Sequence, residues 1–127
     1  MTGSVVIAGA GHAGFQLAMS LRQDGFAERI LLVNDEPHLP YQRPPLSKAY
    51  LAGTLSMDRL LLRPPAVYTE ENVALLTGTR VVWIDRAGKR VRLEGGRELP
   101  YDALVLATGS RPRKLPLSGA DLAGVFT

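Results

Sequence analysis

The apolar positions of this chain fall into blocks of two kinds. Val5 to Ala8, Ile30 to Val33, Val73 to Leu76 and Ala103 to Ala107 are continuous runs with no polar interruption. Such runs suit parallel strands that are covered on both faces. Between the first two, Phe15, Leu17, Ala18 and Leu21 recur at near-helical spacing. Ala13 to Gln23 therefore reads as a helix, which Asp24-Gly25 ends. From Arg80 onward the pattern changes, and basic residues interleave with Val81, Ile84, Val91 and Leu93. That alternation predicts an antiparallel meander of Arg80 to Ile84, Arg90 to Leu93 and about Glu98 to Tyr101. Its turns would be Arg86-Ala87-Gly88 and Gly95-Gly96.

Prolines punctuate the remainder. Residues 35 to 47 contain Pro37, Pro40, Pro44 and Pro45 and read as an ordered loop. Ser47 is placed to cap a short helix through Leu51, stopped by Gly53. Pro64-Pro65 opens another, to about Glu71. After Thr108-Gly109 come Pro112, Pro116 and Gly119, a linker-like tail. The expected fold is α/β in three layers: a parallel sheet, helices and a small antiparallel meander. Helices cover only part of one face, so the domain is expected to be incomplete and the chain to be part of a longer protein.

The first strand runs straight into Gly9-Ala10-Gly11-His12-Ala13-Gly14, a Gly-x-Gly-x-x-Gly turn ahead of the helix. The second strand ends in Asn34-Asp35-Glu36, with Asp35 21 positions after Gly14. Strand, triplet, helix, strand and acid in that order form the βαβ seat for the ADP half of a dinucleotide. Gly9 permits the tight turn. Gly11 lets a pyrophosphate approach the backbone, and Gly14 lets the helix pack on the strand. The pyrophosphate then faces the orphan N–H groups at the helix N-terminus. Asp35 is placed to accept from the ribose hydroxyls. FAD and NAD share this seat, and the triplet alone leaves the choice between them open.

Composition narrows the classes. A chain of 127 residues with 46% hydrophobic content suits one modest domain, and its mean hydropathy is +0.03. No apolar run approaches the roughly 20 residues of a membrane span. The first strand begins almost at Met1 with no leader-like pattern, so a cytoplasmic setting is expected. There is no cysteine, which excludes a disulfide framework, a thiolate metal site and a cysteine nucleophile in these residues. His12 and His38 are the only histidines, and no metal site is expected. The net charge is +3, its excess falling on Arg80, Arg86, Lys89, Arg90, Arg92, Arg97, Arg111, Arg113 and Lys114. These read as a solvated outward face, with a docking surface for an acidic partner as the sharper alternative. No aromatic interleaving points to nucleic acid.

Two longer stretches carry a resemblance. Asp35-Glu36-Pro37-His38-Leu39-Pro40-Tyr41-Gln42-Arg43-Pro44-Pro45-Leu46-Ser47-Lys48 resembles the loop of FAD-dependent, NADH-linked reductases of ferredoxins and Rieske-type oxygenase systems. Tyr101 to Pro112, with Ala107-Thr108-Gly109 at its centre, is similar to the second flavin-domain signature of the same superfamily. The resemblance implies a glutathione-reductase-like FAD-binding domain. Residues 1 to 127 would be its N-terminal portion, with 110 to 127 crossing toward an NAD-binding domain. It implies FAD as cofactor, NADH as donor and a ferredoxin-type iron–sulfur protein as partner, with neither nucleic acid nor membrane. Gly9, Gly11, His12, Ala13 and Gly14 would surround the pyrophosphate. Asp35, with Glu36 beside it, would hold the ribose. Arg43 and Pro44 would line the path to the flavin, and Lys48 would reach the flavin edge. Val81 would offer main-chain hydrogen bonds to adenine, and Ala107, Thr108 and Gly109 would approach the phosphate and ribityl region.

Plainer roles stand beside these. Lys48 could be an exposed helix residue, Arg43 a loop ion pair, His12 a polar filler, Glu36 a solvated neighbour and Thr108-Gly109 a strand-ending turn. Disulfide reductases of this fold carry a Cys-x4-Cys pair soon after the ribose acid, and here that region has no cysteine. The flavin of the longer protein would then take hydride from a nicotinamide and pass single electrons to a carrier. Other FAD/NAD-linked reductases on this scaffold, nitrite-reductase-like or apoptosis-inducing-factor-like, are the near alternative. A non-catalytic dinucleotide-binding module is the distant one.

Overall fold

The computed structural model describes residues 3–126. Strand β1 (Val5–Ala8) leads into helix α1 (His12–Gln23) and strand β2 (Ile30–Val33). Two short helices follow, α2 (Met57–Leu60) and α3 (Pro65–Glu70). Next come β3 (Val73–Leu76), the meander β4 (Val81–Asp85), β5 (Arg90–Leu93) and β6 (Glu98–Pro100), and finally β7 (Ala103–Leu106). One sheet has the order β3-β2-β1-β7, with every pairing parallel. The other is the antiparallel β4-β5-β6.

Period-2 alternation in the parallel strands builds two cores back to back. On one face Val5, Ile7, Ile30, Leu32 and Val73 pack against Phe15, Ala18 and Met19 of α1 and Tyr68 of α3. On the other, Val6, Leu31 and Val33 meet Val91, Leu93, Leu99 and Tyr101 of the meander. Helices, parallel sheet and meander are thus three layers. Among the described residues, no helix is long and apolar enough to cross a membrane.

Four expectations change. The run at Ala103 to Ala107 is not a buried strand: β7 pairs only with β1, lies at the sheet edge and leaves Leu106 61% exposed. Among the described residues, no regular strand or helix follows it, and Leu115, Leu117, Leu122 and Phe126 are exposed. Ser47 caps no helix. Pro44–Ser47 is instead a single 3-10 turn, and residues 48 to 53 continue as turns that Gly53 ends at φ 73°. The fixed φ of two adjacent prolines opens that turn, and ring nitrogens without N–H cannot extend it. Helix α2, four residues long, falls where no periodicity could show. Last, the meander does not alternate cleanly. Val81 pairs with Leu93 and Trp83 with Arg92, so Val82 is an extra residue, a β-bulge. The bulge explains how Val81 and Ile84, three positions apart, both pack against the same core.

Candidate functional site

Strand order reverses at β1. The chain winds outward through β2 and β3, then returns to place β7 on the other side of β1. In open α/β sheets the crevice beyond the strand ends at such a reversal is where ligands bind. Here it is a groove of about 1030 Å³.

The turn after β1 forms its floor. Gly9 donates its N–H to the Val33 carbonyl at 2.8 Å and adopts φ 109°. A Cβ there would lie 2.1 Å from the Ala107 oxygen, so both the turn and the neighbouring strand end require glycine. A Cβ on Gly14 would meet the Gly9 oxygen at 1.9 Å, so the first turn of α1 can pack this closely only without a side chain. Gly11 differs. Its φ of −73° suits any residue, and a Cβ there would meet nothing within 4 Å. The fold does not demand glycine at this position, and the space its Cβ would enter is the groove. Gly11 is also the N-cap of α1, and no side chain caps the helix. No acidic residue occupies its first turn. The orphan N–H groups and the positive end of the helix dipole are left for an anion.

Most of the residues singled out from the sequence come together here. Gly9, Gly11, His12, Ala13, Asp35, Glu36, Arg43, Val81, Ala107, Thr108 and Gly109 all line the groove. Gly14 packs behind the turn. Pro44 and Lys48 do not line it. Lys48 is exposed, and its Nζ donates to the Pro44 carbonyl at 3.2 Å.

The two acids are each matched by an arginine. Asp35 Oδ2 accepts from Arg80 Nη2 at 3.1 Å. Glu36 Oε1 accepts from both terminal nitrogens of Arg43 at 3.3 Å, while Glu36 Oε2 is buried with no partner among the described residues. Glu36 is therefore a partly buried groove wall and not merely a solvated neighbour. Arg43 also donates to the Tyr41 hydroxyl at 3.1 Å and lies 5.0 Å over its ring. Burial raises the Tyr41 phenol pKa, and the adjacent Glu36 adds to the rise. Buried Asn34 fixes this corner: its side chain donates to the His38 carbonyl and its backbone N–H to Leu76.

Arg80, Ser110 and Arg111 also line the groove, and none of them was singled out as a site residue. Arg80 and Arg111 read from sequence as part of an outward basic face. The start of β4 abuts the end of β2, which turns Arg80 toward Asp35. Adjacency to Val81 and Gly109 was the only signal available. Among the described residues, no group of acidic or histidine side chains could hold a metal ion.

Residues 3–127 match the sequence profile of the family described as pyridine nucleotide-disulphide oxidoreductase. The chain belongs to this family. It is 53% identical to a probable ferredoxin reductase of Castellaniella defragrans over 95% of its own length and 30% of that protein's. It is 51% identical to rhodocoxin reductase of Rhodococcus erythropolis over 96% of its length and 29% of that protein's. The putidaredoxin reductase crystallised in covalent complex with putidaredoxin shares 50% identity and superposes with a TM-score of 0.87. That match covers 93% of this chain and 28% of the reductase structure. The chain thus spans less than a third of the length of these relatives. This chain has no cysteine, so it contains no dithiol for a flavin to reduce.

Proposed function

We propose that this chain is the first part of the FAD-binding domain of a longer NAD(P)H-dependent reductase, which passes electrons to a ferredoxin-type iron–sulfur protein in the cytoplasm. Family membership and relatives named as ferredoxin-type reductases support the reading. Gly11 carries it: a glycine that the fold does not need, at an uncapped helix start, facing the groove.

The residues present suit the cofactor. Its pyrophosphate needs N–H donors approached without a Cβ, and the turn from Gly11 to Ala13 offers them. Its adenosine ribose needs acceptors, and Asp35 and the unpartnered Glu36 Oε2 supply them. Val81 is proposed to meet adenine through its main chain, and Ala107 to Gly109 to flank the phosphate and ribityl region. Arg43 and Pro44 are proposed to lead toward the flavin. Lys48, outside the groove wall, is proposed to set a positive charge near the flavin edge, on the resemblance alone. When bound, FAD accepts hydride from a nicotinamide and releases electrons singly. What these residues do is bind and orient it.

Gly11→Val in the full-length protein tests the assignment. A branched side chain would enter the groove without disturbing the fold, so the variant is expected to purify folded but colourless. A yellow Gly11→Val protein with wild-type flavin content would show that the groove is not the FAD site.

A further inference from the structure

Arg80 precedes β4 and Asp35 follows β2, and both line the groove. Their side chains are about half exposed, at 54% and 50%, and meet at 3.1 Å. The backbone beneath each is tied down. The Arg80 carbonyl accepts from Glu94 N–H at 2.8 Å. On either side of Asp35, the carbonyls of Asn34 and Glu36 accept from Thr79 and Gly78 at 2.9 Å. The loop joining β3 to β4 is thereby fastened across the end of β2, and it brings Arg80 within reach of the acid. Arg80 engages one carboxylate oxygen, Oδ2. The other, Oδ1, has no hydrogen-bond partner among the described residues, and a carboxylate can accept several hydrogen bonds at once. Two bare carboxylates in this groove would also repel a ligand that carries a pyrophosphate. Arg43 offsets one of them and Arg80 the other.

We propose that Arg80 is a positioning residue for the adenosine half of the dinucleotide: it fixes the Asp35 carboxylate so that the free oxygen meets the ribose hydroxyls. This rests on the reading of the groove as the FAD site. The bulge at Val82 serves the same arrangement. It lets Val81 face the core beside the groove while Trp83 turns outward onto Arg92, whose guanidinium lies 4.6 Å above its ring. Arg80 is thus separated from the outward ladder of Arg90, Arg92 and Glu98.

The test uses full-length apoprotein titrated with FAD, with ADP and with FMN, which lacks the adenosine half. Arg80→Gln should weaken FAD and ADP alike, by about three- to five-fold for a half-exposed pair, and leave FMN unchanged. Arg80→Lys should restore most of the loss. In an Asp35→Asn background, Arg80→Gln should add nothing. Unchanged FAD binding in Arg80→Gln, alongside a loss in Asp35→Asn, would overturn the positioning role and leave the FAD site standing. Additive losses in the double variant would overturn it too, because Arg80 would then act independently of Asp35. An equal loss for FMN would reduce Arg80 to a structural part. If neither Asp35→Asn nor Gly11→Val altered FAD affinity, the groove assignment itself would fall and the proposal with it.

Discussion

Tyr68 carries a hydroxyl that its surroundings do not use. The residue is 5% exposed, its ring meets Phe15 edge-on at 6.1 Å, and its oxygen is buried without a partner among the described residues. Burial pushes its pKa to about 12, against an ordinary 10.0. A folded-state pKa above the unfolded value contributes stability that is fully present below about pH 10. That contribution is lost as pH rises toward 12. Tyr68→Phe removes an unsatisfied buried group and should raise stability by about 1 kcal/mol near neutrality. Thermal melts from pH 7 to 11 should also show a flatter alkaline decline for the variant than for the parent. Identical declines would place the alkaline sensitivity elsewhere. At this scale the glycine turn was well legible in the sequence, because each glycine answers a steric demand that spacing encodes. Gly9 and Gly14 would collide with backbone oxygens if they carried a Cβ, and Gly11 faces open space. The groove arginines were not legible. Whether an arginine beside a strand meets solvent or a carboxylate depends on which distant loop end lies next to it.

At the scale of elements, Arg22 is the residue that fastens one face. Near the end of α1, its guanidinium donates to the carbonyls of Phe26, Glu28, Glu71 and Asn72. Two of these lie in the turn from α1 to β2, and two where α3 gives way to β3. One side chain therefore ties both helices to the strands they precede. The planar five-donor fork makes this possible, and an ammonium with three donors on a point charge cannot span two segments. Arg22→Lys should lower stability by about 2 kcal/mol, read as a shift in the urea midpoint with an unchanged slope. A wild-type midpoint would mean that the four carbonyls are equally well served by water. The continuous apolar runs announced β1 and β2, because a strand buried on both faces leaves no room for polar residues, and β3 as well, although that strand lies at the other sheet edge and buries only Val73. The run at β7 misled for the same reason. Its composition suits a covered strand, and nothing in the described residues covers its outer edge. The 3-10 turn and α2, four residues each, and the one-residue bulge at Val82 are too short to repeat a hydrophobic period, and of the three only the 3-10 turn has a local cause, the two prolines that open it.

Across the whole molecule, the parts proposed for the adenosine end of a dinucleotide converge on one groove, whereas those proposed for the flavin end are split, Arg43 lining the groove and Pro44 and Lys48 not. Gly11, Asp35, Arg80 and Val81 share the groove, whereas Pro44 and Lys48 lie outside its wall. The sequence has one Gly-x-Gly-x-x-Gly turn, at Gly9 to Gly14, and so offers no second seat of that kind for a nicotinamide cofactor. This division predicts how the 127-residue chain behaves when produced alone. Contacts to the ADP half would account for nearly all of its affinity, so FAD and ADP should bind weakly and about equally, and FMN not measurably. The full-length protein, with both halves of the site, should prefer FAD over ADP by orders of magnitude. The isolated chain should also fail to oxidise NADH with a dye as acceptor, since hydride transfer needs the nicotinamide held against the flavin. Calorimetry with the three ligands and a steady-state assay on the pure chain would decide the matter. Tight FAD binding with weak ADP binding would mean that residues 1 to 127 already grip the flavin. Steady NADH turnover would mean that the donor seat lies within these residues after all.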